Sequence, residues 1–434
     1  MYHLNKLPVA LAVAASLASF SSFAETETNN AAQIEELTKR IQELETKVQE
    51  TDYVYDQQPA VLTPDFEPPQ GLIFSGYARY GLHYADSDAA YVEVGSSGRS
   101  VGRLGNEYNG GEVQFAYAKK ADNGAVWDIV AMFDQWGNRA WSSKGGVNLK
   151  KMYAGVTNVF ESQPELYMWA GRDFHQRPQQ GLNDYFWMTH DGQGGGFNNL
   201  NLGGIKLDMG LVGQVDSETG ALGNDNGKYA VTSKLHGIDL GIGNLDLYAN
   251  YGFASKQAGE DLEDEKAWQV GAVLGLGSSN KLVLKYADGA DDSVFDLSGD
   301  KKVIYASIEG GVNPNSNLFV DYLASFKKLS GENVKMPWET ENTERSEYSA
   351  IVRPMYNWDE VHSTWLEAGY AMEDHVSGFE KKGWKVTVSQ NVSLGGLPWS
   401  RPMLRFYVTA GDVKATEAEK VDTLSAGAMF EAWW

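Results

Sequence analysis

The chain has 434 residues, a formal charge of −22 at pH 7 and no cysteine. So acidic a protein lacks the basic surface that releases counterions from phosphates, so nucleic acid is not expected as a partner, and without disulfides its stability must come from the fold itself. Mean hydropathy is negative and no stretch past the first residues is long and apolar enough for a transmembrane helix, which leaves a soluble protein or a barrel whose strands bury only every second residue in lipid.

Residues 1–24 read as a signal peptide: Lys6, an apolar run over 7–17, and Ser22-Phe23-Ala24 as a small-x-small cleavage site. An uncleaved anchor would need about 18 or more apolar residues in a row, and this run is shorter. Residues 25–51 carry Ile34, Leu37, Ile41, Leu44 and Val48 at alternating spacings of three and four, a short coiled-coil seam whose isoleucine/leucine usage by itself favours two strands. A single amphipathic helix lying on the protein is the plainer alternative. Residues 52–70, with Pro59, Pro64, Pro68 and Pro69 among polar residues, suit an extended spacer.

From 71 to 434 the pattern is alternation over roughly ten residues, punctuated by Gly, Asn, Asp and Ser. Val113, Phe115 and Tyr117 oppose Glu112, Gln114 and Ala116; Leu245, Leu247, Ala249 and Tyr251 oppose Asp246, Tyr248 and Asn250; Leu404, Phe406 and Val408 oppose Arg405, Tyr407 and Thr409. Such strands are wet on one face only, which fits a soluble sandwich as well as a barrel. The terminal strand favours the barrel. Leu424, Ala426, Ala428, Phe430, Ala432 and Trp434 face Thr423, Ser425, Gly427, Glu431 and Trp433 across it, and an alternating strand closing on an aromatic residue is typical of outer-membrane barrels.

Particular segments then point to a family. Gly76-Tyr77-Ala78-Arg79, Gly102-Arg103-Leu104-Gly105-Asn106-Glu107, Trp169-Ala170-Gly171-Arg172, Arg353-Pro354-Met355-Tyr356-Asn357-Trp358, Trp399-Ser400-Arg401-Pro402 and Glu431-Ala432-Trp433-Trp434, in that order, resemble the maltoporin family of sugar porins, including its sucrose-porin branch with an amino-terminal coiled coil. The resemblance implies an all-β transmembrane antiparallel barrel of 18 strands over 71–434. It also implies a homotrimer in outer-membrane lipid, a coiled coil in the periplasm, and carbohydrate as the solute.

Sugars present both hydroxyls and C–H faces, so their path needs aromatic rings and polar groups together. By resemblance the aromatic slide maps to Tyr77, Trp399 and Trp433, with Trp268 or the competing Val270 at mid-chain. Trp141, or failing that Trp136, would reach in from a neighbouring subunit. The segment from Trp169 to Gly196 resembles the strand and inward loop that narrow the channel, which places Lys150, Arg177, Asp184 and Phe186 on the polar track with Arg79, Arg103 and Glu112 from other strands. For each aromatic the alternative is membership of the girdle at the membrane interface, and for each charge an ordinary solvated wall position.

Departures from the family accompany the matches. Phe186 stands where a tyrosine is usual, Gly181 and Thr189 replace a histidine and an aspartate, and an aromatic expected after Glu107 is replaced by Gly110 or Gly111. A wider, less finely hydrogen-bonded aperture is expected. The seven histidines form no metal-ligand or Ser/His/Asp arrangement, so no enzyme and no cofactor are expected. The acidic run at 260–265 could gather calcium, though a solvated loop is the plainer reading. The function read from the sequence is passive diffusion of mono- to oligosaccharides with small ions. The alternatives are a general-diffusion porin or a barrel tethered by its coiled coil.

Overall fold

The computed structural model describes residues 71–87, 89–137, 146–215, 226–259, 261–277, 279–331, 334 and 344–434. The expected signal peptide (1–24), coiled coil (25–51) and linker (52–70) lie outside the described residues, as does Trp141.

The strands are β1 (Gly71–Ala85), β2 (Gly110–Lys120), β3 (Val126–Trp136), β4 (Asn148–Thr157), β5 (Tyr167–Asp173), β6 (Gln179–Gln180), β7 (Tyr185–Phe186), β8 (Gly192–Asn201), β9 (Lys206–Gln214) and β10 (Lys228–Asp239). There follow β11 (Asn244–Ala254), β12 (Lys266–Leu276), β13 (Asn280–Asp288), β14 (Lys302–Asn315), β15 (Leu318–Ser330), β16 (Arg345–Asn357), β17 (His362–His375), β18 (Glu380–Ser393), β19 (Met403–Ala415) and β20 (Val421–Trp433). Among the described residues, all but the short β6–β7 hairpin form one 18-stranded antiparallel sheet in which each strand pairs with the next. β20 pairs back onto β1 from Tyr77↔Trp433 to Ala85↔Ser425, so the sheet closes and leaves no edge to satisfy.

Each strand alternates as the sequence does, but the covered and exposed faces are inverted relative to a soluble protein. On β19, Val408 is 55% exposed while Arg405 beside it in phase with the lumen is 1% exposed. On β16, Tyr348, Val352 and Tyr356 face outward while Arg345, Glu347 and Arg353 are buried inside. An apolar outer face of this extent requires lipid, and the sandwich reading fails because the apolar faces never meet. Tyr251, Trp268, Tyr348 and Trp384 lie on that outer face near one rim, as an interfacial girdle does.

The shortest connections, such as 240–243 and 316–317, lie at one end, and the longest lie at the other. Three long ones turn into the lumen and touch its wall, through residues 89–109, 174–191 and 289–301. The first two dock on each other: Arg99 N–H donates to the Asn183 carbonyl at 2.5 Å and Arg103 N–H to the Leu182 carbonyl at 2.9 Å. Gly98 makes that approach feasible, for its φ is +63° and a Cβ there would sit 2.4 Å from the Asn183 oxygen. The third loop brings Val294, Phe295 and Leu297 onto lumenal Ala230, Ala267, Ala287 and Val303, forming an apolar core inside the barrel.

Candidate functional site

Where the first two loops meet the wall, the charges gather into two groups. In the first, Asp184 on the second loop takes Arg79 of β1 at 2.8 Å and Arg103 of the first loop at 3.4 Å. Glu431 of β20 accepts from Arg103 at 3.1 Å, from Arg401 at 2.5 Å and from the Tyr77 hydroxyl at 2.7 Å. Arg405 sits 2.8 Å from Glu107 in an ion pair whose angles miss hydrogen-bond geometry. Burial opposes ionisation of Asp184, yet the guanidinium groups of Arg79 and Arg103 outweigh it and hold the carboxyl below its ordinary value of 3.8.

The second group lies along β2 to β5. Asp134 pairs with Lys150 at 3.5 Å, Asp173 with Lys151 at 3.2 Å and Arg177 with Asp191 at 3.4 Å, and Arg177 and Lys151 are the cations that act most strongly on buried Glu112. A bulge between Met132 and Phe133 of β3 opposes Lys150 to no partner residue, which lets Lys150 and Lys151 both serve carboxylates. The Arg177 guanidinium lies 4.1 Å from the centres of both the Phe174 and Phe186 rings, a clamp that fixes its fork.

Arg79, Arg103 and Asp184 thus come together in one group, and Glu112, Lys150, Arg177 and Phe186 in or beside the other. Arg103 is carried by the inward loop 89–109 and not by a strand, which corrects the expected placement. Glu107, Arg401, Arg405, Glu431 and Lys151 were not singled out from sequence. The first four stand in or beside the family-like segments, and that proximity was the available signal.

The aromatic residues divide by phase. Tyr77 and Trp433 are register partners on the lumenal face, and the Arg401 guanidinium lies 4.1 Å from the Trp433 ring. Arg401 is also 5.9 Å from the ring of Trp365, which packs with Phe319, Leu104, Met355 and Met403; Trp399 covers this cluster, 5.4 Å from Phe319 and perpendicular to it. Phe319 and Trp365 were missed, since neither stands in a matching segment.

Trp268 is a correction: it faces outward, 43% exposed, with its ring 5.0 Å from Tyr286 in the girdle. Val270 shares that outward face, and the lumenal positions of β12 include Ala267, Gln269 and Gly271. Trp136 does lie in the lumen, but in this chain's own barrel, stacked on Tyr77 at 6.0 Å.

A strip of rings beside ion-paired charges offers stacking and hydrogen-bond exchange. Among the described residues no group of three or more histidine, aspartate and glutamate side chains could hold a metal ion.

A family model described as LamB porin matches residues 72–434. A maltoporin of Vibrio cholerae serotype O1 (strain El Tor Inaba N16961) is 29% identical over 400 residues, covering 83% of this chain and 94% of that protein. The maltoporin of the Classical Ogawa 395 strain is likewise 29% identical over 400 residues, covering 83% and 93%. Among solved structures, OccK3 of Pseudomonas aeruginosa is 13% identical and covers 86% of this chain and 97% of its own, with a TM-score of 0.48.

Proposed function

Since this chain belongs to the LamB porin family and is an outer-membrane channel, not an enzyme, we propose that it passes mono- to oligosaccharides by diffusion, with small ions and solutes following. The observation that carries this reading is the run of partly exposed rings at Tyr77, Trp433 and Trp399, the last seated on buried Trp365 and Phe319, alongside the Glu431 ion network. Rings accept the C–H faces of a sugar, and the ion network exchanges hydrogen bonds with its hydroxyls.

The pairing argues for a neutral solute. Arg401 donates to Glu431 and to the carbonyls of Pro398 and Ser400, and Arg79 to the Tyr108 carbonyl as well as pairing with Asp184. These guanidinium groups already have their counter-charges. A hydroxyl can insert without leaving a buried charge unanswered, whereas an anion would have to displace a carboxylate.

In this reading the barrels associate as a homotrimer in outer-membrane lipid, and residues 34–48 form a three-stranded seam on the periplasmic side, despite an isoleucine/leucine usage that favours two. Single-channel recording of the purified protein in planar bilayers tests the transport claim. Maltose-series sugars, sucrose or β-glucosides should block the current saturably, and Tyr77→Ala should weaken blockade roughly tenfold, equivalent to about 1.4 kcal/mol, with far less effect on ion flow. A current that no oligosaccharide blocks would make this a general-diffusion porin.

A further inference from the structure

We propose that Trp136 is the ring a sugar meets before Tyr77 when it enters from the long-loop end, and that it serves the channel of its own chain. The proposal rests on the sugar reading above and names a specificity-determining residue that the family-like segments do not contain. Trp136 ends β3 on the long-loop side, in lumenal phase. Its indole stacks on Tyr77 with ring centres 6.0 Å apart and planes 23° apart, and the Arg79 guanidinium lies 5.2 Å from it.

Gly110 is what lets the indole lie there. It is the register partner of Trp136, and a Cβ at Gly110 would come within 2.4 Å of the indole ring. The glycine that replaces an expected aromatic residue therefore does not leave a gap: the neighbouring strand supplies the ring instead.

Covering a glycine with a cross-strand aromatic is by itself a stabilising device of sheets. The same barrel uses it twice more, with Tyr407 over Gly427 and Tyr167 over Gly155. Exposure separates the cases. Tyr407 and Tyr167 are 7% and 0% exposed, so their rings are spent on packing, whereas Trp136 is 38% exposed and keeps a face open to a solute. A flat, partly exposed indole with a guanidinium over its ring suits a neutral hexopyranoside, whose C–H face can stack on the exposed part while its rim hydroxyls find the Arg79 and Asp184 pair.

The test is bilayer recording on the full chain with maltotriose and sucrose added from each side in turn. Trp136→Ala should raise the half-saturation concentration about fivefold, mainly by slowing entry from the long-loop side, while Trp136→Phe should stay within about twofold of the parent. The phenylalanine variant guards against a folding defect, as does the cooperative heat-induced gel shift of each purified barrel. If Trp136→Ala leaves half-saturation unchanged while Tyr77→Ala raises it, Trp136 only covers Gly110 and the proposal is overturned with the sugar reading intact. If the parent protein shows no blockade by either sugar, the sugar reading falls and takes the proposal with it.

Discussion

Lys327 has no solvent to answer its charge, being 1% exposed, and it answers it with all three inward loops at once. Its ammonium donates to Ser96 of the first loop at 3.1 Å, to the Tyr185 hydroxyl of the second at 3.2 Å and to Asp291 of the third at 2.8 Å. Lys285 reinforces the knot through the Trp187 carbonyl and Asp292. Removing one member of a buried ion pair costs about 3–5 kcal/mol, and here the loss would be spread over the docking of three segments. Lys327→Met should therefore give a noisier, larger conductance and new protease cleavage in 89–109 while the barrel stays closed; an unchanged current trace would show that the loops hold without it. Sequence could not single out this lysine, because Ser96, Tyr185 and Asp291 become its neighbours only after the barrel has closed. Asp184 invites a pH test with a definite sign. Its folded pKa lies below the ordinary 3.8, so the stability it lends through Arg79 and Arg103, with Tyr77 and Glu431 also facing it, is present at neutral pH and lost as pH falls through the folded value. Sugar half-saturation should rise steeply once the pH falls below about 4. Asp184→Asn should show the raised value already at pH 7.

At the scale of a strand, alternation is a local property, which is why the facing residues of β2, β11, β19 and β20 were legible without a structure. Legibility ends where the lumen ceases to be polar. The outward placement of Trp268 is hard to read because the inward face of β12 carries a single polar residue, Gln269, between small Ala267 and Gly271, so the alternation only weakly announces the lumen. Val294, Phe295 and Leu297 of the third loop pack onto Ala267 there, while buried Gln269 donates to the Asp291 carbonyl of the same loop. The first loop was unread for a related reason: it is held by Glu347, Glu367 and Lys385, more than 240 residues away in sequence. The inverted faces make a prediction for β19 and β2. Val408→Lys places a charge near the middle of the lipid-facing band and should cost about 2–4 kcal/mol, whereas Gln114→Lys on the lumenal face should be close to neutral. Urea unfolding of the two variants in lipid vesicles measures the difference, and equal costs would contradict the assignment of faces.

For the molecule as a whole, the question is where a formal charge of −22 resides and what it does to ions. The constriction does not hold it. Around Glu431 the four arginines Arg79, Arg103, Arg401 and Arg405 face Glu107, Asp184 and Glu431, a slight cationic excess. Acidic residues concentrate instead at the long-loop end, as at Asp261, Glu263, Asp264 and Glu265 between β11 and β12, and at Glu417 and Glu419 between β19 and β20. These two sources favour opposite ions and differ in how salt affects them. Buried, tightly paired charges are screened little, while exposed loop charges act over a Debye length of about 10 Å at 0.1 M salt and about 3 Å at 1 M. If the loops set the selectivity, the reversal potential in a KCl gradient should favour potassium near 0.1 M and fall toward zero near 1 M. If the arginines at the constriction set it, chloride should be favoured and the preference should survive high salt. The acid-rich mouth has the larger net charge and stands first in the path of an entering ion, so the expected result is a cation preference that salt removes, with sugar blockade persisting at both salt concentrations because stacking on Tyr77 and Trp433 involves no net charge.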